Sequence, residues 1–233
     1  PRQFDDDAGY GNVLKRMKPW PPNSTLAEVA ARWEKVGFKH IEELDQYLAT
    51  APKQDGYDIV PLLNKASLLL YQGKADAACE ILAENRKTIE GSDQLAEQFL
   101  FTNIYYQGIA GLRKGENDNC IMCRGESSCI FPISRAAVHK NEEGSSLAVA
   151  HFTEYLQEFP DDLEAKWLLN LAHMTLGEYP EKVDPKYLLN LDRYTKPEFD
   201  IGRFRDIGSV VGVNRFNQSG GAIMEDFDNV ATV

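Results

Sequence analysis

Three cysteines, Cys120, Cys123 and Cys129, fall in one short stretch between helix-forming segments. Thiols so spaced can form a disulfide, hold a metal or shuttle electrons. A disulfide fits best, because a long loop without structure of its own gains from a staple. Cys129 is the expected partner of Cys120, with Cys123 as the rival. A zinc site would need His139 as a fourth ligand, and the resulting spacing, C-x2-C-x5-C-x9-H, matches no common zinc pattern. A redox Cys-x-x-Cys pair would need a helix N-terminus to lower a thiol pKa, and the sequence supplies none there. Covalent haem requires a histidine where Arg124 stands. Cys79, within Ala77-Ala78-Cys79-Glu80-Ile81-Leu82, reads as an inert core thiol on a packed helix.

Other reactive residues form no familiar site. The histidines His40, His139, His151 and His173 are scattered, and His151 and His173 sit on predicted helices. There is no phosphate-binding glycine loop, no HExxH and no recognisable Ser/His/Asp order. The acidic pairs Glu142/Glu143 and Asp161/Asp162 stand at helix starts, where they offset the helix dipole. Asp226-x-Asp228 begins a calcium-loop pattern of alternating carboxylates, but Val230 occupies the third acidic position. Calcium on Asp226 and Asp228 is the one cofactor the sequence suggests.

These residues must be positioned by helices. Thr25-Leu26-Ala27-Glu28 is a capping box that should start one, with Leu26, Val29, Ala30 and Trp33 on a single face. Gly37 should break it, leaving Ile41 to Leu48 as a second helix ending before Pro52. Helices are expected over 62–71, closed by Gly73, over 75–88 and from about Asp93 to Lys114. More are expected from Ser145 to Phe159 and, capped by Asp161-Asp162-Leu163-Glu164, from there to Gly177.

The small residues along these helices repeat. Units of about 34 residues, two helices each, mark tetratricopeptide repeats, whose small side chains let paired helices approach closely. With Gly73 as the glycine at the hairpin turn, Ala66 and Ala78 take the small positions and Leu82 the apolar one. With Gly115 as the next such glycine, Gly108 precedes it in register, and the pattern resumes only at Ala148, Phe152 and Pro160. We read 116–143 as an insertion at that hairpin turn. Leu169, Ala172, Gly177 and Tyr179 open a third unit, whose second helix is prevented by Pro180 and Pro185. Stacked units share a core, and their first helices line a concave groove. Thr102, Tyr105, Ile109, Glu164, Trp167 and Leu171 should face that groove or its rim. Aromatic residues there suit peptide or protein binding.

The 233 residues can bury a sizeable core. A formal net charge of −11 disfavours general nucleic-acid binding and adhesion to anionic membrane. No window reaches the roughly 18 apolar residues of a membrane span. The start, Pro1-Arg2-Gln3-Phe4-Asp5-Asp6-Asp7, lacks the apolar run of a signal peptide, so any targeting segment is expected to have been removed or to lie outside this sequence.

After Thr195 the character changes to alternating apolar residues bounded by glycines, as in short strands. Ser128-Cys129-Ile130-Phe131-Pro132-Ile133, Glu143-Gly144-Ser145, Trp167-Leu168-Leu169-Asn170-Leu171-Ala172, and Gly220-Gly221 leading to Asp226-Phe227-Asp228-Asn229 resemble one family. It comprises bacterial secreted proteins of the cartilage-acidic-protein type, with tetratricopeptide repeats, FG-GAP/VCBS propeller blades and an ASPIC/UnbV domain. The resemblance implies an extracytoplasmic, bacterial location and an interaction role, with no catalytic residues to carry over. The blade motif breaks after Asn229, and the propeller and ASPIC regions are absent from this sequence.

The expected fold is therefore mainly α. An extended lead (1–23) and a helix pair (24–57) precede tetratricopeptide-like hairpins in an α-solenoid (58–180), which carries the cysteine-containing loop insertion. An irregular linker and the start of a propeller-like blade (181–233) form a short β/irregular tail. The expected function is a non-catalytic scaffold or assembly subunit with protein partners. The alternative is a metalloprotein or enzyme using the cysteine loop or a calcium-dependent C-terminal site.

Overall fold

The computed structural model describes residues 15–17, 21–50, 56, 58–119, 133–191, 210 and 212. It is mainly helical, and no strand occurs among the described residues. The helices are α1 (Leu26–Thr50), α2 (Ile59–Tyr71), α3 (Ala75–Glu90), α4 (Asp93–Asn119), α5 (Glu143–Glu158) and α6 (Leu163–Thr175). Each packs against its sequence neighbours, and the parallel pairs α2/α4 and α4/α6 also touch. None is long and apolar enough to cross a membrane among the described residues.

Local chemistry sets most ends. The Thr25 amide donates to Glu28 Oε2 at 2.8 Å and the Glu28 amide donates to Thr25 Oγ1 at 3.3 Å, completing the capping box. Asp162 caps α6 by accepting from the Ala165 amide at 3.0 Å. Gly73 (φ +73°) and Gly177 (φ +69°) end α2 and α6 in the left-handed region. In both turns the next amide reaches back to the helix, Lys74 to the Leu69 carbonyl at 2.9 Å and Glu178 to that of His173 at 2.8 Å.

Gly37 does not break α1, contrary to the sequence expectation. A helical glycine costs only about 1 kcal/mol relative to alanine, and 25 residues of α1 outlast that. Val36 and His40, on either side of it, are buried. Likewise α4 runs past Lys114 to Asn119, because Gly115 is a contact point there and not a stop.

Two cores share α4. The first joins Leu63, Ala66 and Leu69 of α2 to Ala78 and Leu82 of α3 and Ala110 of α4. The second joins Ile104, Tyr105 and Leu112 of α4 to Ala148, Phe152 and Leu156 of α5 and Leu169 and Ala172 of α6. Packed on two sides, α4 exposes no residue from 99 to 112. A third, smaller cluster of Met17, Val36 and Leu68 seats α1 on α2.

The α4–α5 crossing is built from glycines. A Cβ on Gly108 would lie 2.7 Å from the Phe152 ring, and one on Gly111 would lie 2.8 Å from the Ala148 amide nitrogen. Gly144 abuts the backbone of Gly111 and Gly115. Between α4 and α5, Gly108 thus meets Phe152, and Gly111 meets Ala148. Arg86 of α3 adds a bidentate pair with Glu154 of α5, at 2.9 and 2.6 Å.

Candidate functional site

The best-defined polar construction is the neck where the chain leaves α4 and returns to α5. Asn119, the last residue of α4, holds both sides. Its Oδ1 accepts from the amides of Lys140 (2.8 Å) and Asn141 (2.9 Å). Its Nδ2 donates to the carbonyls of Gly115 (2.8 Å) and Asn141 (3.0 Å). The amide group thereby satisfies an end-of-helix carbonyl and fastens the returning chain with the same four bonds. Asn141 donates to Asp118 at 3.0 Å, and its Oδ1 accepts from the Glu143 amide where α5 begins.

We expect Asn119→Ala to cost about 1 kcal/mol, since the freed groups lie near water and can rehydrate. Proteolytic cleavage between 116 and 143 should accelerate well beyond any change elsewhere. Unchanged cleavage would show that the neck is held by other contacts.

Beneath the neck lies a buried serine–histidine pair. Nδ1 of His139 is 2.9 Å from Ser145 Oγ, and Thr175 Oγ1 is 2.8 Å from both Ser145 Oγ and the Ala172 carbonyl. The His139 amide donates to the Thr175 carbonyl at 2.8 Å. Such a pair could activate a nucleophile, but Ser145 is 0% exposed and His139 4%. No substrate carbonyl can reach Oγ. The pair instead ties the returning chain to α5 and α6. Burial pushes the His139 imidazole below its ordinary pKa, against the pull of Glu116 and Asp118. Lys114 lies 2.6 Å from Asp76 and 3.3 Å from Asp118, and these bonds raise its pKa.

The residues expected to line the groove divide. Thr102 and Tyr105 are buried, which corrects their assignment to a binding surface. Tyr105 stacks edge-on with Phe152 and Tyr106 and tilts against Tyr155, because α4 is covered on that side by α5. Ile109 is half-buried between the two cores. On α6, Trp167 and Leu171 are half-buried and Glu164 is exposed, and their spacing puts all three on one face. These three are what remains of the predicted surface.

Cys79 is half-buried, and burial raises its thiol pKa, as expected of an inert thiol. Cys120, Cys123 and Cys129 lie outside the described residues, as do Asp226 and Asp228. Among the described residues no three acidic, histidine or cysteine side chains are placed to hold a metal.

Sequence reasoning missed the asparagines. Besides Asn119, Asn103 donates to the Leu82 carbonyl at 3.0 Å and accepts from Asn85 at 3.2 Å, both side chains being buried between α3 and α4. Asn170 is fully buried and pairs with the chain beyond α6. The available signal was a poor helix former set inside an apolar run, as in Leu168-Leu169-Asn170-Leu171. Compared with known proteins, the chain matches no family model, no curated protein and no solved structure.

Proposed function

We propose that this chain is a non-catalytic interaction scaffold or assembly subunit built on tetratricopeptide-like repeats, docking a protein partner outside the cytoplasm of a bacterium. The observation that carries this reading is the shared use of small residues in both hairpins. Ala66 and Ala78 are fully buried in the first, and Gly108 and Gly111 meet Phe152 and Ala148 in the second. Helices so closely spaced form a stiff array that presents side chains at fixed intervals, which suits recognition more than chemistry. The Trp167–Leu171 face of α6, rimmed by Glu164, is the proposed contact, with a half-buried aromatic as anchor. The cysteine spacing supports a disulfide from Cys129 to Cys120, with Cys123 as the rival, and the extracytoplasmic location implied by the resemblance would be oxidising. The resemblance supports a short β tail as well, and calcium at Asp226 and Asp228 would need donors from elsewhere.

Native mass spectrometry of the complex purified with the full chain tests the scaffold reading. A stable protein partner at fixed stoichiometry is expected, and Trp167→Ala should weaken its binding more than tenfold with helical content unchanged. A partner held equally well by the variant would remove α6 from the interface. A small molecule or metal at fixed ratio in place of a protein would overturn the reading.

A further inference from the structure

The third hairpin has no second helix. Past Gly177 the chain returns across α5 and α6 as an irregular strap through Leu191, and it is bound there much as a peptide ligand is. Val183, Tyr187 and Leu191 are buried, whereas 184–186, 188 and 190 are exposed. From Tyr187 to Leu191 the side chains alternate inward and outward, the pattern of extended chain on a surface. The Tyr187 ring lies in the second core, 1% exposed, and its hydroxyl donates to the Leu156 carbonyl of α5 at 2.8 Å.

The backbone of this stretch is recognised by side chains. Asn170 Nδ2 donates to the Tyr187 carbonyl at 2.9 Å, and Asn170 Oδ1 accepts from the Leu189 amide at 3.1 Å. One amide thus meets the carbonyl of a residue and the N–H two residues on, as the edge of a neighbouring strand would. Tyr179 completes the set: its hydroxyl donates to the Leu189 carbonyl at 2.7 Å and accepts from the Leu191 amide at 3.2 Å. Backbone pairing of this kind gives affinity irrespective of sequence, and a pocket for an alternate side chain gives selectivity.

Leu188 and Asn190 are exposed. The positions turned inward are Tyr187, an aromatic residue with a terminal hydroxyl, half-buried Leu189 and buried Leu191. An ordinary cap on a helical array needs to cover apolar surface, and it does not need a fully buried asparagine to read its main chain. With the strap displaced, Asn170 Nδ2 would keep its bond to the Lys166 carbonyl at 2.7 Å, but its Oδ1 would lose the Leu189 amide, a desolvation cost that favours having some extended backbone in place.

We propose that the α5–α6 cleft is a peptide-recognition site which the chain fills in cis with residues 187–191, and that it accepts extended partner peptides of the form Tyr-x-Leu-x-Leu in exchange. The biological use of the cleft rests on the scaffold reading above. Peptide binding can be measured without a partner in hand, so the two can fail separately.

The test uses a fluorescein-labelled synthetic peptide spanning Asp184–Asp192 and the full chain. Fluorescence anisotropy should show binding to Tyr187→Ala, whose own anchor is gone, at least tenfold tighter than to the unaltered chain. Methylating the peptide backbone nitrogen at the Leu189 position removes the donor to Asn170 and should weaken binding at least tenfold. Equal binding to the two chains, no binding to a folded Tyr187→Ala, or indifference to the methyl group would each overturn the proposal. If Tyr187→Ala does not fold, hydrogen exchange on the unaltered chain decides. Millimolar unlabelled peptide should speed exchange at Leu189 and Leu191 several-fold by displacing the strap, and unchanged exchange would overturn the proposal.

Discussion

Gly144→Ala should destabilise the protein by about 3 kcal/mol, the upper end of ordinary overpacking, as read by urea unfolding. A Cβ there would fall on the Gly115 backbone nitrogen and 2.6 Å from the Gly111 carbonyl oxygen. Backbone cannot rotate away as a side chain can, so α4 and α5 must separate. Separation loosens Ala148 and Phe152, both fully buried, together with the pair that adjoining Ser145 makes with His139. Gly73→Ala is the control. It suffers a left-handed φ of +73° but meets nothing within 4 Å, so about 1 kcal/mol is expected. Equal losses at the two sites would mean that the glycines serve the turns and not the crossing. A Gly144→Ala loss below about 1 kcal/mol would show that the crossing relaxes cheaply.

Part of that crossing was legible in the sequence, because small residues at helical spacing are a local pattern, although the pattern did not reach Gly111 or Gly144. Gly108, Ala148 and Phe152 could be aligned with Ala66, Ala78 and Leu82 despite the intervening cysteine stretch. Thr25/Glu28, Gly73 and Asp162 were legible for the same reason, since each acts within a turn of its own position. Gly37 misled, because propensity is a weak prior over a long helix. Tyr105 and Thr102 misled for a different reason. Their type suits a surface, but α4 is covered from both sides, and burial of that kind depends on which helices neighbour it. The asparagine clasps were the least visible. Asn119 acts on residues 140–141 and Asn170 on residues 187–189, and no spacing rule links an amide to a main-chain partner that distant. The strap itself could be anticipated only negatively, from prolines that forbid a helix at 180 and 185.

Mild acid should destabilise the protein in two stages, beginning well above the range in which carboxylates titrate. Burial holds the imidazoles of His40, His139 and His151 below their ordinary pKa. Arg16 lowers that of His40 further and Arg86 that of His151, while nearby carboxylates pull partly the other way. A histidine near 6.5 when unfolded, and lower when folded, binds its proton first in the unfolded chain. Stability therefore rises with pH, and it is lost as pH falls from about 6.5 towards the folded values, by at most about 1.4 kcal/mol per pH unit for each histidine. Glu154 acts lower down. Its bonds to Arg86 depress its pKa, so its contribution is intact above the ordinary carboxylate value and is lost as pH falls through the depressed one. Acid also reduces the net charge of −11, which relieves self-repulsion and works against the loss. At 0.15 M salt the exposed charges are screened over about 8 Å and the buried and half-buried imidazoles much less, so the histidine effect should win. Urea midpoints at pH 7.5 and 5.5 give the slope, and His151→Leu should flatten it by one histidine's share. Equal midpoints at the two pH values would show that these imidazoles take up protons without unfolding the chain.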